Sequence, residues 1–523
     1  MAGTPDWLHM KKSVALALGV GCMVALTALT VSAPMIPGDW ARLDTFGKYI
    51  PNTIFYDWPP YLGQIGLWLG GMAGLWVGLR QEKTRIIPNI PNRRQLSILM
   101  VLVVAIGLGF GLRLHGLGGL PLLIDEIGFA ARASDMLHGQ HVPIFAPGHN
   151  GNPAVYSWML SGVMEWFGQT RWAMRLPSVV FGTLSIAAVY ALGKAWGGRR
   201  LGVMAALFTA TYPAHVHFSQ LALYNIIDPF FAALALVALR RALKGGRQAD
   251  FVLAGMLGGV AQYFYHGSRL LLVVMGVLTV LAWWQAAAPA RRRLVQQAGM
   301  MTGVLVLVSL PRFAPQFSAG LPVTGNLDGI RLPADAAANS VRALLAWVGQ
   351  ADVSPFWLSS IPLLPLFALL AWGAGVMWAA RQRGDGRWAA LLMMLVLTTI
   401  FGGMIWAAAP LYVRYMTALP ALALLVAAGI QSAGRWRRVQ AALLAGVVMQ
   451  GSLLSLRHPA EAANNLPAGL READALAQAA ARLPTGEAVE LVVTSAFGDV
   501  ERITIADYVA AYGERRAVSI RVK

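Results

Sequence analysis

Long apolar runs, each ended by a charged or Pro/Gly-rich break, make up most of the chain. A helix that spans a bilayer needs about 20 predominantly apolar residues. The pattern therefore predicts an all-α polytopic membrane protein with about thirteen membrane-spanning helices. The predicted spans are 13–33, 62–79, 95–114, 176–196, 201–219, 225–243, 251–266, 268–286, 294–312, 356–380, 388–409, 411–432 and 439–456.

These spans and the longer segments between them divide the chain into five predicted parts. In the tail, helical spacing at 470–483 and alternating apolar residues at 488–495 and 517–522 predict a small α/β domain. A domain this short is marginal alone, so we expect it to pack on the membrane core. The parts are 1–94 with two helices and a basic loop, 95–312 with seven predicted spans and the large loop 115–174, the loop 313–355, the helices of 356–456, and the tail 457–523.

The amino-acid composition is that of a membrane protein, and it excludes several functions and sites. Hydrophobic residues make up 57% of the chain, charged residues only 13%, and the formal net charge is +18. The basic residues occur in short clusters between apolar runs, as is typical of topology signals, so we exclude nucleic-acid binding. The one cysteine, Cys22, excludes an intrachain disulfide and a cysteine-rich metal site.

The clusters of basic residues also predict the sidedness of the chain. Segment 152–168 is apolar enough to be a fourteenth span, but counting it as one would scatter the basic clusters over both sides. If it does not span, more than half of the 42 Lys and Arg residues lie in one set of loops, which the positive-inside rule places in the cytoplasm. We therefore expect an interfacial helix at 152–168, an internal amino terminus and an external carboxyl terminus, with loop 115–174 outside.

Asp125 and Glu126 open this large loop, directly after an apolar run. Helical spacing over 122–136, with Gly139 as a stop, places Asp125 at the start of a short helix. Asp125 is then either the N-cap of the helix or a base for chemistry at the membrane surface. The two roles are compatible, because a helix amino terminus keeps a carboxylate ionised.

A second group of polar side chains occupies the turn at 213–229. Polar groups at this depth are costly unless they face a cavity or a partner, so they are candidates for a site; the alternative is a hydrogen-bonded helix hairpin. Histidines two residues apart are poorly spaced for a helical metal site, and we predict none. The polar residues of the turn are His215, His217, Ser219, Gln220, Asn225 and Asp228.

Few basic residues lie on the predicted outer side near the membrane. The guanidinium fork of arginine suits a lipid phosphate, although each arginine taken singly could be an interfacial anchor. The candidates are Arg132, Arg171, Arg175, Arg269 and Arg414.

Several motifs occur in a familiar order: "DE" after an apolar helix, then "NPAVYSW", the stretch "FGQTRWAMRLPSVVFGTLSIAAVYALGKAWGGRRLGVMAALFTATYPAHVHFSQLALYNIID", and late in the chain "YVRYMTALPALALLVAAGI". In this the sequence resembles the C-superfamily of integral membrane glycosyltransferases (GT-C), most of all its protein O-mannosyltransferase and lipid A aminoarabinose transferase branch. The resemblance covers 96–265 and continues weakly through Arg414 and Tyr415.

The resemblance implies transfer of a hexosyl or pentosyl group from a polyprenyl-phosphate carrier to an acceptor at the extracytoplasmic face of the cell membrane, with inversion. Asp125 would be the catalytic base, Glu126 its usual neighbour, and Asp228, or else Asn225, the acidic position of the second loop. The lipid-linked sugar would be the only donor required, whereas the need for a divalent metal, the sugar and the acceptor (protein, lipid or glycan) stay open. The expected substrate-binding residues are His149, Arg175, His217, Tyr224, Asn225, Arg269, Arg414 and Tyr415.

Two other classes of function compete with this hypothesis. A transporter or flippase also has many spans and buried polar groups, but paired repeats or broken helices at matching places in two halves would be expected, and the sequence contains no such symmetry. A catalytically inactive scaffold would keep the fold and tolerate replacement of Asp125.

Overall fold

In the computed structural model, the chain is described for most of its length. The described residues are 6–32, 62–80, 93–139, 144–145, 153–318, 336–349, 352, 354–382, 384–405, 410–484, 488–493, 499–516 and 518–522.

Helices dominate the described residues, with single 3-10 turns at Tyr224–Ile227 and Met416–Ala418 and a π-helical turn at Ile400–Met404. Two short strands, β1 (Val489–Val493) and β2 (Val518–Val522), pair in parallel. The α-helices are α1 Asp6–Ser32, α2 Leu62–Leu79, α3 Arg93–Leu114, α4 Ile124–Leu137, α5 Val155–Phe167, α6 Arg171–Gly197, α7 Arg199–Thr211, α8 Pro213–Phe218, α9 Asp228–Gly245, α10 Gln248–Ala261, α11 Ser268–Gln285, α12 Ala288–Ser318, α13 Ala336–Leu345, α14 Leu366–Arg381, α15 Gly386–Thr399, α16 Tyr412–Tyr415, α17 Leu419–Ser432, α18 Arg437–Asn464, α19 Ala468–Ala481 and α20 Asp499–Tyr512.

The prediction of an all-α polytopic membrane protein is confirmed. Each of the thirteen predicted spans overlaps a helix. Within the described ranges, eight helical segments are long and apolar enough to cross a membrane, and α10 and α14 are shorter apolar helices. The eight segments are Lys11–Thr30, Gln95–Leu114, Arg171–Gly197, Ser268–Gln285, Ala288–Pro315, Gly386–Met404, Tyr412–Ser432 and Arg437–Asn464.

The segment Tyr412–Ser432 is the centre of the helical core. It is 94% buried, whereas the outlying segment Arg437–Asn464 is 17% buried. Small residues permit the close packing of α17 on α14, as is common between membrane helices. A Cβ atom at Gly429 would lie 1.7 Å from the carbonyl oxygen of Ala371, so only glycine fits there.

Helices α4 and α5 are too short to span a bilayer. At 1.5 Å per residue, α5 with its 13 residues is about 20 Å long, against a hydrocarbon core of about 30 Å. A helix is present at the predicted position 152–168 as α5, and it packs on α4 and α6; its interfacial location stays a prediction. Near its carboxyl end Trp166 is 84% exposed, as expected for an aromatic side chain at an interface.

The tail forms the expected α/β unit, in which α20 connects the two parallel strands. The helix predicted at 470–483 is α19, and both predicted strands are present, with Val489 opposite Val518. Helix α20 packs extensively on α4, so the tail rests on the membrane core as the sequence predicted.

Candidate active site

Helix α4 presents the two acids of the predicted site in different environments. Its N-cap is Leu123, not Asp125, so the simple capping role predicted for Asp125 is wrong. The cap bond is made instead by Glu126, whose Oε2 accepts a hydrogen bond from the backbone N–H of Leu123 at 2.9 Å. Asp125 is the second residue of the helix and is partly exposed, whereas Glu126 is buried.

Glu126 is fully buried and forms a bidentate ion pair with Arg175 of α6. The Nε of Arg175 lies 2.8 Å from Oε1 and its Nη2 lies 2.8 Å from Oε2 of the carboxylate. The backbone N–H of Ala222 donates a further bond to Oε1 at 2.6 Å. Because both oxygens carry two bonds, the side chain of Glu126 holds α4, α6 and the turn after α8 together.

Arg175 uses four of its five N–H donors within the protein. Besides pairing with Glu126, it donates to the carbonyl oxygens of Leu120 at 3.1 Å and of Pro121 at 2.9 Å. It is 1% exposed. Its geometry is that of a structural clamp on the segment that leads into α4.

The two histidines of the turn are also engaged in internal contacts. The ring of His215 contacts the guanidinium of Arg113 at 2.6 Å. His217 contacts the carbonyl oxygen of Phe356 through Nε2 at 2.6 Å and stacks on His458, with 4.0 Å between ring centroids. This half of the turn therefore matches the hairpin alternative.

Asp228 begins α9 and is 1% exposed. Thr417 donates a long bond of 3.4 Å to its Oδ2, whereas Oδ1 is buried without a hydrogen-bond partner among the described residues. Gly267 permits the close approach of the neighbouring turn, because a Cβ there would lie 2.0 Å from Thr417 Oγ1 and 2.9 Å from Asp228 Oδ2. This turn leads directly to Arg269, whose charge interacts with that of Asp228.

Arg269 and Arg312 both lie against the ring of Phe313. Their guanidinium carbons are 5.8 Å and 5.1 Å from its centroid, within the range of a cation–π contact. Arg312 is 0% exposed, yet none of its three side-chain nitrogens has a hydrogen-bond partner in the part of the chain that the structure describes. The two cations repel each other electrostatically, and Asp228 is the acid that interacts with Arg269, so this corner holds two cations and one carboxyl group among the described residues.

Tyr265 connects this corner to α4. Its hydroxyl lies within hydrogen-bonding reach of Asn225 and Arg414, and it feels the charges of both Asp125 and Asp228. Tyr224 lies close enough for electrostatic contact with Arg312 and Arg414.

Arg414 is positioned by a carboxylate from a distant loop. Asp352 accepts hydrogen bonds from the backbone N–H of Tyr412 at 2.7 Å and of Ser354 at 2.6 Å, and thereby caps the short helix α16 that carries Arg414. Burial raises the pKa of Asp352 to about 6. Tyr415 of the same helix faces elsewhere: its hydroxyl donates to the carbonyl oxygen of Ala343 at 2.8 Å.

The structure thus brings together part of the predicted set and separates the rest. Arg175, His217 and Tyr415 make other contacts, and His149 lies outside the described residues. The residues of the shared cluster are Asp125, Tyr224, Asn225, Asp228, Arg269 and Arg414.

Two residues of this region were missed by sequence reasoning. Arg312 is the last residue of a predicted span. Ionisable residues in membrane segments commonly mark functional sites, so its charge at the end of an apolar run could have identified it as a site residue. Asp352 gave no such signal, because its contact with α16 joins segments 60 residues apart. Across the described ranges, no three His, Cys, Asp or Glu side chains group closely enough to hold a metal ion.

Comparison with known proteins places the fold among membrane glycosyltransferases. The family described as Dolichyl-phosphate-mannose-protein mannosyltransferase matches residues 151–317. Among curated proteins nothing matches. ArnT from Cupriavidus metallidurans, in a crystal structure bound to undecaprenyl phosphate, is similar over 81% of this chain and 85% of its own, with a TM-score of 0.57 and 14% identity.

The oligosaccharyltransferase of Archaeoglobus fulgidus in its apo form is similar over 81% of this chain and 64% of its own, with a TM-score of 0.55 and 14% identity. These similarities confirm that the chain has the GT-C fold that its motifs indicated. The chain is a multi-pass membrane protein.

Proposed function

We propose that this protein transfers a glycosyl group from a polyprenyl-phosphate carrier to an acceptor at the extracytoplasmic face of the cell membrane, with inversion at the anomeric carbon. The GT-C fold supports the class of reaction, and the similar ArnT structure contains undecaprenyl phosphate. The sidedness follows from the distribution of basic residues.

The observation that carries the proposal is the excess positive charge around Phe313. A buried charge without a partner costs several kcal/mol, and an ionisable residue inside a membrane segment commonly marks a functional site. Arg312 is buried without hydrogen bonds to any described residue, beside the second cation Arg269. A phosphate group would accept hydrogen bonds from both guanidinium groups and would neutralise their repulsion.

Arg414 extends this site toward the acids. Through Tyr265 it lies in electrostatic contact with Asp125, the partly exposed carboxylate of the pair. A donor whose phosphate is bound by Arg269 and Arg312 would therefore place its sugar near Tyr224, Asn225 and Asp125.

The chemical step is a single displacement. The acceptor hydroxyl gives its proton to the Asp125 carboxylate while its oxygen forms a bond to the anomeric carbon. The bond between that carbon and the phosphate oxygen breaks, and the electron pair stays on the carrier phosphate. A positioned base contributes about 10²–10⁴-fold to such a rate, and the arginines stabilise the charge that develops on the leaving phosphate.

The neighbouring acids have supporting roles in this scheme. Glu126, paired with Arg175, orients the start of α4 and is a positioning residue. Asp228 lies beside Arg269 and partly balances its charge. These assignments leave Asp125 as the proton acceptor.

Turnover of a panel of labelled polyprenyl-phosphate sugars by the full-length protein in lipid vesicles, with cell-envelope acceptors added, tests the proposal. We expect label to leave the lipid and appear on an acceptor, with release of polyprenyl phosphate. Movement of intact labelled lipid across the bilayer without loss of its sugar would instead support the transporter alternative.

A further inference from the structure

The carboxyl-terminal tail is attached to the start of the helix that carries Asp125. Tyr508 of α20 is fully buried, and its hydroxyl donates a hydrogen bond to the carbonyl oxygen of Leu122 at 2.9 Å. Leu122 lies two residues before α4 and three before Asp125. A residue almost 400 positions away along the chain therefore contacts the backbone beside the proposed base.

This contact completes a row of anchored carbonyl groups. Arg175 holds the carbonyl oxygens of Leu120 and Pro121, and Tyr508 holds that of Leu122. The next residue, Leu123, donates its N–H to Glu126. The four consecutive residues 120–123 are thus fixed by side chains: two by Arg175 of α6, one by the tail and one by Glu126 of α4 itself.

The tail is also hydrogen-bonded to the carboxyl-terminal end of α4. Arg515 forms two hydrogen bonds of 3.0 Å to the two carboxylate oxygens of Asp135, and the hydroxyl of Ser134 donates to the carbonyl oxygen of Gly513 at 2.6 Å. Attachment at both ends prevents α4 from tilting on its own.

We propose that the tail is a positioning element for the reaction and that Tyr508 is a positioning residue for Asp125. The inference rests on the proposed function, since it assigns the tail a role in that same site. Catalysis by a base depends on its placement, and a displacement of about 1 Å can cost about 10²-fold in rate. Arg269 and Arg312 lie on α11 and α12, which the tail does not hold through any of these bonds, so donor binding is independent of Tyr508.

Two matched substitutions on α20 test this role. Tyr508→Phe removes the bond to Leu122, whereas Tyr512→Phe removes a bond to Asp474, another residue of the tail, and keeps the ion pair of Asp474 with Arg171 of α6. Both delete one hydrogen-bonded tyrosine hydroxyl from the same helix, buried at Tyr508 and partly buried at Tyr512. We expect Tyr508→Phe to lower kcat about tenfold with little change in the KM of the donor, and Tyr512→Phe to leave kcat within about twofold of the wild-type value.

Equal losses of kcat in the two variants, or an unchanged kcat in Tyr508→Phe, would overturn the inference. Hydrogen exchange provides a readout that does not require turnover. In full-length protein, amides of residues 122–128 should exchange at least about threefold faster in Tyr508→Phe than in Tyr512→Phe. If Tyr508→Phe exchanges faster but the wild type turns over no donor, the structural role of the tail contact is supported and the proposed function is refuted. If the two variants exchange at the same rate, the positioning role of Tyr508 is refuted.

Discussion

Two buried arginines, Arg175 and Arg312, provide an internal comparison for the proposed donor site. They are 1% and 0% exposed, so replacing either by methionine removes a buried charge and keeps much of the side-chain volume. Arg175 makes four hydrogen bonds, two of them to Glu126. Arg312 makes none to the residues that the structure covers.

The two substitutions should therefore change stability in opposite directions. Arg175→Met leaves Glu126 buried without its partner and should lower the free energy of unfolding by about 3–5 kcal/mol. Arg312→Met removes a charge that no described residue pairs with by a hydrogen bond. After subtraction of a cation–π contact of about 0.5–2 kcal/mol, it should raise the free energy of unfolding by about 1–3 kcal/mol.

Addition of polyprenyl phosphate should make the wild-type protein at least as stable as Arg312→Met. A ligand that binds only the folded state stabilises it by RT ln(1 + [L]/Kd), about 2.7 kcal/mol at one hundred times Kd. The wild-type protein should gain this stabilisation, and Arg312→Met should gain little of it.

The assay is thermal unfolding in detergent of protein freed of carrier lipid, with and without added polyprenyl phosphate. The variant Arg342→Met, which removes an exposed arginine from α13, serves as a control that should behave as the wild type does. If Arg312→Met destabilised the ligand-free protein as strongly as Arg175→Met, Arg312 would be a structural residue and the charge argument for the donor site would fail.

Two further predictions concern pH and sidedness. Because the pKa of Asp352 is raised to about 6 in the folded protein, the stability that its protonated form contributes is fully present below about pH 4 and is lost as the pH rises through 6. Asp352→Asn should flatten the pH dependence of the unfolding free energy between pH 4.5 and 7 by about 2 kcal/mol; an unchanged slope would show that Asp352 does not titrate as its burial requires. In a Cys22→Ala background, Glu165→Cys at the exposed end of α5 should react with an impermeant thiol reagent added from outside, whereas Arg199→Cys should not, and the opposite labelling would reverse the proposed topology.

The fold could be predicted from the sequence because its determinants are local. Apolar runs of sufficient length predicted the helices, the short amphipathic stretches predicted α4 and α5, and the alternating residues of the tail predicted both strands. Gly139 ends α4 as expected: it has a positive φ of 77°, which few other residues adopt without strain.

The site was only partly predictable because its decisive contacts are not local. Asp125 and Glu126 are adjacent and chemically similar, and nothing in their spacing distinguishes them; the difference arises from Arg175, 49 residues away, which occupies both oxygens of Glu126. Arg175 itself was expected to bind phosphate, but its pairing with Glu126 is equally distant in sequence. A list of outward arginines cannot show which of them already has an internal partner.

The most direct test of the account is the rate of sugar transfer in a single turnover by Asp125→Asn, with Glu165→Gln as a control that removes an exposed carboxylate from the neighbouring helix α5. Asparagine keeps the size of the side chain but cannot take the proton of the acceptor. We predict a rate at least about 10²-fold below the wild-type value at saturating donor, an unchanged affinity for polyprenyl phosphate, and wild-type behaviour of Glu165→Gln. Transfer by Asp125→Asn at the wild-type rate would contradict the assignment of Asp125 as the base.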